Sequence, residues 1–369
     1  MQEKNKMNKF IYLDSAATML KSDKLIEAQA LFLREKYANS GRGVCGRVAS
    51  VDNMVRDVRR GVAGFINADV ENIVFTSGTT DSINRIVNIL KPNADTVVAV
   101  SDLDHHSARL PFQMSGAKMA VCPLDKNFNI DVTQIPWADI LVVTAMSNVL
   151  GTPQDVASIV AVAREKNPDV IVVVDAAQYV VHDAIDVKKW DCDFLAFSGH
   201  KIGADTGVGV MYIKNPNRFL PDKFGGGMVN VISRDGDVNF MPVPECFEAG
   251  TLPLTQIAGM SVAIDEIQNN RPDLNLIKYL YDELSKTERV KILSKRDARL
   301  LSFVIDDMHV LDFGAIAGAK NICIRVGNMC ASWIHQKLNI DGSVRVSIGA
   351  YNTTDDIKVF IDVVRGCIK

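Results

Sequence analysis

Short, continuous runs of apolar residues alternate with helical patterns through most of the chain. The runs are apolar at successive positions, which is typical of strands buried on both faces of a sheet. Runs of strand length occupy residues 72–75, 96–100, 118–122, 140–144, 170–174, 194–197 and 208–213. Because helical patterns such as 81–90 and 156–165 lie between them, we predict an α/β fold with a mainly parallel sheet covered by helices.

Two further helices are predicted ahead of the first strand. Ser22 and Asp23 can cap the first helix. Its apolar face is formed by Leu25, Ala28, Leu31 and Phe32. The second helix presents an apolar face formed by Val55, Val58, Val62 and Phe65.

The C-terminal part of the chain predicts a smaller α+β unit. A long helix at 255–268 leads into a helix at 275–287, strands at 300–305, 322–325 and 343–348, and a final helix at 354–366. We therefore expect a large domain at 14–255 and a small domain formed by 1–13 and 256–369.

Composition and charge exclude several classes of protein. The chain has 369 residues, of which 47% are hydrophobic and 23% are charged, and this suits one or two globular domains. Its net charge of −3 does not favour binding to nucleic acid or to an anionic membrane. No apolar run approaches the ~20 residues of a membrane span. The polar segment 1–9 lacks the apolar region of a signal peptide.

The cysteines indicate a reducing compartment. The chain has seven cysteines, an odd number, and no two of them form a CxxC pair. We therefore expect free thiols in a cytoplasmic protein, without a disulfide framework and without a zinc or other metal site.

One lysine and one carboxylate follow predicted strands. Lys201 follows the run 194–197 in the sequence SGHK, and Asp175 ends the run 170–174. In an open α/β sheet, ligands bind beyond the carboxyl ends of the strands. Such a pair is what pyridoxal phosphate needs, since the lysine binds the aldehyde as a Schiff base and the acid keeps the pyridine nitrogen protonated. The alternatives are a surface lysine and an aspartate that caps a helix.

Other polar residues near strand ends could bind the same cofactor. Thr79 and Thr80 lie between a strand and a helix, where free N–H groups and the helix dipole favour an anion, although an ordinary helix cap has the same pattern. His105 could stack on a flat cofactor and shuttle protons, or be a solvated loop residue. Gln178 and Asn148 also follow strands, and a surface glutamine and a turn residue are their alternatives.

Cys330 and Arg345 are candidates for contact with a substrate. Cys330 lies in a predicted loop, RVGNMCA, where a cysteine near basic groups can be a nucleophile. A buried, inert thiol is the alternative. Arg345 lies within a strand pattern, and its bidentate fork suits a substrate carboxylate, although an ordinary salt bridge would also explain it.

The order and spacing of these residues resemble a known family. Matching segments extend nearly from end to end, at 12–18, 65–68, 75–80, 104–107, 147–151, 191–194, 198–201, 247–251, 325–331 and 350–353. On these segments the chain resembles the class V aminotransferase superfamily of pyridoxal phosphate enzymes, with fold type I. Within that superfamily it is most similar to the group II cysteine desulfurases and selenocysteine lyases.

The resemblance implies a role for each candidate residue. Lys201 would bind the aldehyde of pyridoxal phosphate, and Asp175 would contact its pyridine nitrogen. Gln178 would contact the ring oxygen, and His105 would stack on the ring. The remaining cofactor contacts would come from Thr79, Thr80, Asn148, Ser198 and His200. The substrate would meet Asn148, Arg345 and Arg325.

The resemblance also implies a reaction and an assembly. Lys201 would remove the Cα proton of L-cysteine, and the Cys330 thiolate would take the sulfur as a persulfide, which leaves L-alanine. The persulfide would pass to an acceptor protein or a small thiol. Thr251 would reach the phosphate in the other subunit, which implies a homodimer with shared active sites.

Other functions stay open at this point. A selenocysteine lyase, a β-eliminating lyase or an aminotransferase acting on a small amino acid would use the same scaffold. Cys330 argues against simple transamination, which needs no thiol. A non-catalytic binding or scaffold protein is a further hypothesis, and Lys201 and Asp175 argue against it because neither charge is easily explained without a cofactor.

The chain departs from the family pattern around the substrate. Asn328 and Met329 stand where two histidines usually precede the catalytic cysteine, and Cys45 stands where relatives tend to have histidine. Asp104 replaces a usual glutamate. The loss of two proton carriers beside Cys330 predicts a less favoured thiolate there.

Overall fold

The computed structural model describes residues 10–41 and 43–368. Segment 1–9, which we expect to lack a signal-peptide region, lies outside the described residues. Within the described ranges, no helix has the length and hydropathy of a membrane span.

The strands and helices follow each other in the predicted alternation. The strands are β1 (Ile11–Tyr12), β2 (Ile73–Thr76), β3 (Val97–Ser101), β4 (Lys118–Cys122), β5 (Ile140–Thr144), β6 (Ile171–Asp175), β7 (Phe194–Ser198), β8 (Gly209–Ile213), β9 (Val229–Ile232), β10 (Val238–Phe240), β11 (Val290–Ile292), β12 (Leu301–Ile305), β13 (Ile322–Cys323), β14 (Arg325–Gly327) and β15 (Ser343–Val346). The α-helices are α1 (Asp23–Leu31), α2 (Gly46–Phe65), α3 (Thr79–Leu90), α4 (His106–Met114), α5 (Val156–Lys166), α6 (Tyr179–His182), α7 (Val187–Trp190), α8 (Leu254–Asn269), α9 (Leu274–Leu284), α10 (Val310–Ala319), α11 (Ser332–Lys337) and α12 (Thr354–Ile368). A π-helical turn (Phe32–Lys36) continues α1, and 3-10 turns lie at Val70–Asn72, Val132–Gln134, Gly199–Lys201, Pro216–Arg218 and Glu245–Phe247.

A seven-stranded sheet forms the centre of the larger part of the molecule. Its strand order is β2-β8-β7-β6-β5-β3-β4. β8 runs antiparallel to both of its neighbours, and the other pairs are parallel. Each strand predicted for this sheet overlaps an observed one, so the predicted α/β fold with a mainly parallel sheet is confirmed.

Alternate residues of the sheet point into two different cores. On β6, Val172 and Val174 belong to the core shared with α2 and α8, whereas Val173 belongs to the core shared with α3 and α4. This alternation follows from the two-residue period of a strand. It explains why the strands are apolar at successive positions, since each face meets a different layer of helices.

A smaller antiparallel sheet, of strand order β11-β12-β15-β14, packs against α9, α10 and α12. The rings of Phe303, Phe313 and Phe360 meet there at centroid distances of 5.9, 6.1 and 6.3 Å. β1 pairs with β13, so the start of the described chain joins this unit. The single strand predicted at 322–325 is wrong, because β13 pairs with β1 while β14 pairs with β15.

The division into domains at 14–255 and 256–369 stays a prediction. Helix α8 begins at Leu254 and buries Ile257, Met260 and Ala263 in the larger core, beside α1 and α2. Residues that the prediction assigned to the small domain therefore stabilise the large one.

Candidate active site

The carboxyl ends of adjacent parallel strands bring polar side chains together. Thr144 ends β5 and is the register partner of Asp175, which ends β6. Ser198 ends β7, the next strand along, and the turn Gly199–Lys201 follows it. Because these strands run in the same direction, residues far apart in sequence meet at one edge of the sheet.

Lys201 projects its amine towards the N-terminal segment of the chain. The Nζ atom donates to the carbonyl oxygens of Ala16, at 2.5 Å, and Ala17, at 3.1 Å. Burial and the nearby charge of Arg345 together lower the pKa of Lys201 to about 8, although the charges of Asp175 and Asp14 oppose this. A larger fraction of this amine is therefore neutral, and hence nucleophilic, than in an ordinary lysine.

Asp175 is a buried carboxylate that forms no salt bridge with the described residues. It is 5% exposed and accepts one hydrogen bond, from the N–H of Ala177 at 2.9 Å. Burial raises the pKa of Asp175 to about 6, although the Ala177 N–H and the charge of Lys201 oppose the rise. A buried carboxylate normally has a cationic partner, and no salt bridge to Asp175 is present in the described residues.

Buried polar atoms around Lys201 and Asp175 lack partners. Gln178 donates through Nε2 to the Ala16 carbonyl at 2.8 Å, but its Oε1 accepts no hydrogen bond from the described residues. Asn148 Oδ1 and His200 Nδ1 are likewise buried and unpaired among residues 10–41 and 43–368. Unpaired buried polar atoms are costly, so this pattern indicates a ligand with several polar groups.

The start of α3 lies against Ser198. The Ser198 Oγ accepts from the Thr79 N–H at 2.8 Å and lies 2.9 Å from Thr79 Oγ1. Gly78 has φ of +149°, and a Cβ there would lie 3.2 Å from Ser198 Oγ. Gly209 has even less room, since a Cβ there would lie 2.5 Å from Gly78 Cα. Glycine thus lets β7, β8 and the α3 N-terminus converge, and that terminus can bind an anion.

His105 is the N-terminal capping residue of α4. Its Nδ1 accepts from the Ser107 N–H at 3.2 Å and lies 2.7 Å from Ser107 Oγ. Burial, together with the nearby charge of Lys201, lowers the pKa of His105 to about 4. The ring is therefore neutral near neutral pH, and because Nδ1 is an acceptor, Nε2 carries the proton. A neutral, flat ring of this kind can stack on a cofactor.

Asp104 holds the turn that carries His105. It is fully buried and accepts from the Ser101 N–H at 2.8 Å, from Ser101 Oγ at 3.1 Å and from Thr144 Oγ1 at 2.7 Å. Burial raises its pKa to about 6. In the sequence analysis, Asp104 was noted only because it replaces a usual glutamate. Its burial could have been predicted from the apolar strand that ends at Ser101, three residues before it.

Arg345 is buried and paired with an acid that the sequence analysis did not single out. Its Nη2 donates to Asp14 Oδ1 at 3.1 Å and its Nη1 to the Asn148 carbonyl at 2.9 Å. Arg325 donates to the other oxygen of Asp14 at 2.6 Å. Arg345 Nε has no partner among the described residues. The two arginines predicted to meet a substrate therefore contact the same acid, Asp14, whose single carboxylate balances only one of their two positive charges.

Cys330 is exposed, so the alternative of a buried, inert thiol is wrong. It lies on the loop between β14 and α11, and its N–H donates to Asn328 Oδ1 at 3.2 Å. The preceding carbonyl, of Met329, accepts from Asn148 Nδ2 at 2.9 Å. Cys330 lines a cavity of about 990 Å³ together with His105 and Thr80. The fold thus brings the thiol to the same opening as two of the candidate cofactor residues, Thr80 and His105.

Thr251 and Cys45 lie away from this opening. Thr251 is exposed and lines a different cavity, of about 550 Å³, with Arg59 and Gly250. Cys45 is an exposed residue at the N-cap of α2, where the N–H groups of Val48 and Arg47 lower the pKa of its thiol. Within one subunit, neither side chain belongs to the group around Lys201.

Comparison with known proteins agrees with this geometry. Residues 11–360 match the family described as "Aminotransferase class-V". The chain belongs to this family. Membership implies pyridoxal phosphate as the cofactor. The polar atoms around Lys201 and Asp175 fit that molecule, because a pyridine nitrogen, a ring oxygen and a phosphate would supply the partners that the buried groups lack.

Several relatives of this class-V aminotransferase-family protein are named cysteine desulfurases. Cysteine desulfurases of Enterobacter sp. strain 638 and Pectobacterium carotovorum are each 32% identical to it over 94% of this chain and 90% of theirs. The apo structure of a cysteine desulfurase from Thermococcus onnurineus matches with a TM-score of 0.92 and 32% identity, over 98% of this chain and 95% of that one. A cysteine desulfurase from Escherichia coli, in an S-sulfonic acid form, matches with a TM-score of 0.88 and 31% identity, over 97% and 94%. The predicted family and fold are confirmed.

Asp175→Asn stabilises the cofactor-free protein above about pH 6 but not at pH 4. The pKa of Asp175 is about 6 in the folded chain and near 3.8 when unfolded, so the folded state loses stability as the pH rises through this window. An asparagine keeps the hydrogen bond from Ala177 and has no charge to bury. We expect the free energy of unfolding of the variant to exceed that of the wild type by about 2 to 3 kcal/mol at pH 8.

Urea unfolding of both cofactor-free proteins between pH 4 and pH 8 tests this expectation. The difference between them should grow across the titration of Asp175 and then level off. A difference that is constant with pH would mean that the buried carboxyl does not titrate as described.

Proposed function

We propose that the protein is a pyridoxal phosphate-dependent cysteine desulfurase, which converts L-cysteine to L-alanine and forms a persulfide on Cys330. The observation that carries this proposal is the exposed Cys330 thiol on the rim of the cavity that also reaches His105. An accessible thiol there can accept sulfur from an amino acid bound near Lys201. The names of the relatives support the same reaction.

Specific residues would hold the cofactor. Lys201 would bind its aldehyde, Asp175 its pyridine nitrogen and Gln178 its ring oxygen, while His105 would stack on the ring. The phosphate would be held at the N-terminus of α3 by Thr79, Thr80, Ser198 and His200. When bound, the cofactor supplies an electron sink that stabilises negative charge at the substrate Cα. A protonated pyridine nitrogen would also remove the cost of burying the Asp175 carboxylate.

Arg345 and Arg325 would recognise the substrate carboxylate, with Asn148 beside them. An incoming carboxylate would have to exchange with Asp14, the acid that both arginines contact at present. Arg345 Nε has no hydrogen-bond partner among the described residues, so the guanidinium has one N–H that could donate to the incoming carboxylate. The carboxylate would thus orient the amino acid with its side chain towards the Cys330 loop.

Lys201 and Cys330 would carry the two chemical roles. The lowered pKa of Lys201 makes its amine able to take up the α proton of the substrate near neutral pH. The Cys330 thiolate would form a bond to the substrate sulfur while the bond between that sulfur and Cβ breaks. The electron pair of the broken bond stays on Cβ, which takes a proton and becomes the methyl group of alanine. Cys330 is left as a persulfide.

Further parts of the proposal concern assembly and location. Thr251, exposed in one subunit, would reach the phosphate site of the other subunit in a homodimer with shared active sites. An acceptor protein or a small thiol would take the sulfur from the exposed Cys330. A cytoplasmic location follows from the expected free thiols and stays a prediction.

Analysis of products with several amino acids tests the reaction. With L-cysteine, added pyridoxal phosphate and a thiol reductant, we expect alanine and sulfide in equal amounts. Pyruvate and ammonia in place of alanine would instead indicate β-elimination, and a product that requires an added keto acid would indicate transamination. L-selenocysteine, tested in parallel, distinguishes a desulfurase from an enzyme specific for selenium.

A further inference from the structure

The Cys330 loop is held from both sides by one residue, His106, at the start of α4. The His106 N–H donates to the Cys330 carbonyl at 2.7 Å. Its side-chain Nε2 accepts from the Ser332 N–H at 3.3 Å and lies 3.0 Å from Ser332 Oγ. His106 therefore contacts the thiol residue itself and the first residue of the helix that follows it.

The protonation state of His106 is set by these contacts. Nε2 faces a backbone N–H, which can only donate, so Nε2 must be an unprotonated acceptor. Burial lowers the pKa of His106, which favours the neutral ring. The Ser332 N–H is one of the first-turn donors of α11 that have no partner within the helix, and His106 satisfies it.

Aromatic packing reinforces the same contact between α4 and α11. The Trp333 ring meets the His106 ring edge-on, with centroids 5.3 Å apart. The guanidinium carbon of Arg109 lies 4.3 Å from the Trp333 ring centroid. Arg109 is buried, and its Nε and Nη1 have no hydrogen-bond partner among the described residues. The guanidinium is instead held by this stacking on Trp333 and by an ion pair of Nη1 with Asp102 at 3.8 Å.

The backbone of the loop needs such support. Met329 and Cys330 have φ of +52° and +55°, in the left-handed region that non-glycine residues seldom adopt. Residues in this region persist when the surrounding contacts determine them. The Asn148 side chain donates to the Met329 carbonyl, the His106 backbone N–H donates to the Cys330 carbonyl, and the His106 ring accepts from the Ser332 N–H. The backbone of the loop that carries the thiol is thus held by contacts with α4 and with Asn148.

We propose that His106 and Ser332 are positioning residues, which hold the Cys330 loop so that its thiol meets the substrate sulfur. This inference rests on the proposed desulfurase function. Neither residue touches the cofactor or the substrate in the proposed scheme. Their loss should slow the transfer of sulfur to Cys330 and leave the preceding steps intact, because misplacing a reacting group by about 1 Å can cost as much as 10²-fold in rate.

The test uses the holoenzyme variants His106→Ala, His106→Gln and Ser332→Ala in single turnovers with L-cysteine. In His106→Ala, persulfide formation at saturating L-cysteine should fall by about 10-fold to 100-fold, while the half-saturating concentration stays within about twofold. Glutamine can accept from the Ser332 N–H, so His106→Gln should recover most of the rate. Ser332→Ala keeps its N–H and should lose only about threefold.

Alkylation of Cys330 by iodoacetamide, followed by peptide mass spectrometry, gives a readout that does not depend on turnover. A released loop exposes the thiol further, so His106→Ala should be alkylated about threefold faster or more. His309→Ala is the control, because the His309 ring also accepts from the N–H of a helix, that of Leu311 at 3.3 Å, but this helix is its own α10 in the small unit and not α11. Its rates should equal those of the wild type.

Two outcomes overturn the inference. One is a His106→Ala enzyme whose persulfide formation and alkylation rates both match the wild type. The other is a loss in His106→Gln as large as in His106→Ala, which would indicate general damage to the fold. Sulfide release from L-cysteine by Cys330→Ala separates this inference from the proposed function. Sulfide release at the wild-type rate in Cys330→Ala contradicts the proposed function, whereas its loss there, with no change in His106→Ala, contradicts the positioning role alone.

Discussion

Lys201→Ala abolishes the visible absorption band of the protein reconstituted with pyridoxal phosphate and lowers alanine formation from L-cysteine by about 10³-fold or more. The amine of Lys201 is the group that would bind the cofactor aldehyde and then take up the α proton. Its position after β7 and its lowered pKa suit both tasks. Absorption spectra and alanine formation, measured on the same preparations, check the expectation.

Lys21→Ala is the matched control for this variant. Lys21 is also a partly buried lysine with a pKa lowered by burial, and its Nζ donates to the Met19 carbonyl at 3.1 Å and the Ala204 carbonyl at 2.5 Å. Removal of its amine should leave the visible band in place. A Lys201→Ala protein that keeps the band would show that Lys201 is not the cofactor lysine. Loss of the band in Lys21→Ala as well would show that the loss is not specific to Lys201.

Cys330→Ala lowers sulfide release from L-cysteine by about 10³-fold or more, while the visible band and its change on addition of L-cysteine are retained. The thiol is the only proposed acceptor of the substrate sulfur, and alanine at this position offers no atom that can attack. The cofactor contacts lie on other elements and should not be disturbed. Sulfide assays with a thiol reductant, together with spectra, separate the two effects.

The other exposed cysteines supply the controls. Cys45 and Cys323 are exposed like Cys330, and neither lines the cavity beside His105. Cys45→Ala and Cys323→Ala should therefore release sulfide at the wild-type rate. Sulfide release that persists in Cys330→Ala would favour β-elimination, in which no enzyme thiol accepts sulfur.

The sheet was predictable because its strands are buried on both faces. Continuous apolar runs placed β4 and β5 at their observed bounds, Lys118–Cys122 and Ile140–Thr144. Elements with a weaker sequence pattern were not predicted. Helix α4 is one of them, because it contains Pro111, which interrupts a helical pattern. The hairpin of β9 and β10 is mostly exposed, so no buried face marks its strands. Burial on both sides leaves a signal in sequence that exposed or interrupted elements lack.

The candidate site was predictable where a charged residue follows directly on an apolar strand. An acid at the end of a very apolar strand and a lysine at the end of another are costly without a ligand, so Asp175 and Lys201 stood out. Partnerships between distant segments leave no such signal. Asp14 and Arg345 are 331 residues apart, and His106 and Ser332 are 226 apart, so their contacts depend on the finished fold.

One measurement tests the central claim most directly. The holoenzyme is mixed with one equivalent of L-cysteine without reductant, and the peptide that contains Cys330 is examined by mass spectrometry after rapid quenching. We expect this peptide to gain the mass of one sulfur atom while an equal amount of alanine appears. An unmodified Cys330 accompanied by free sulfide and pyruvate would contradict the account.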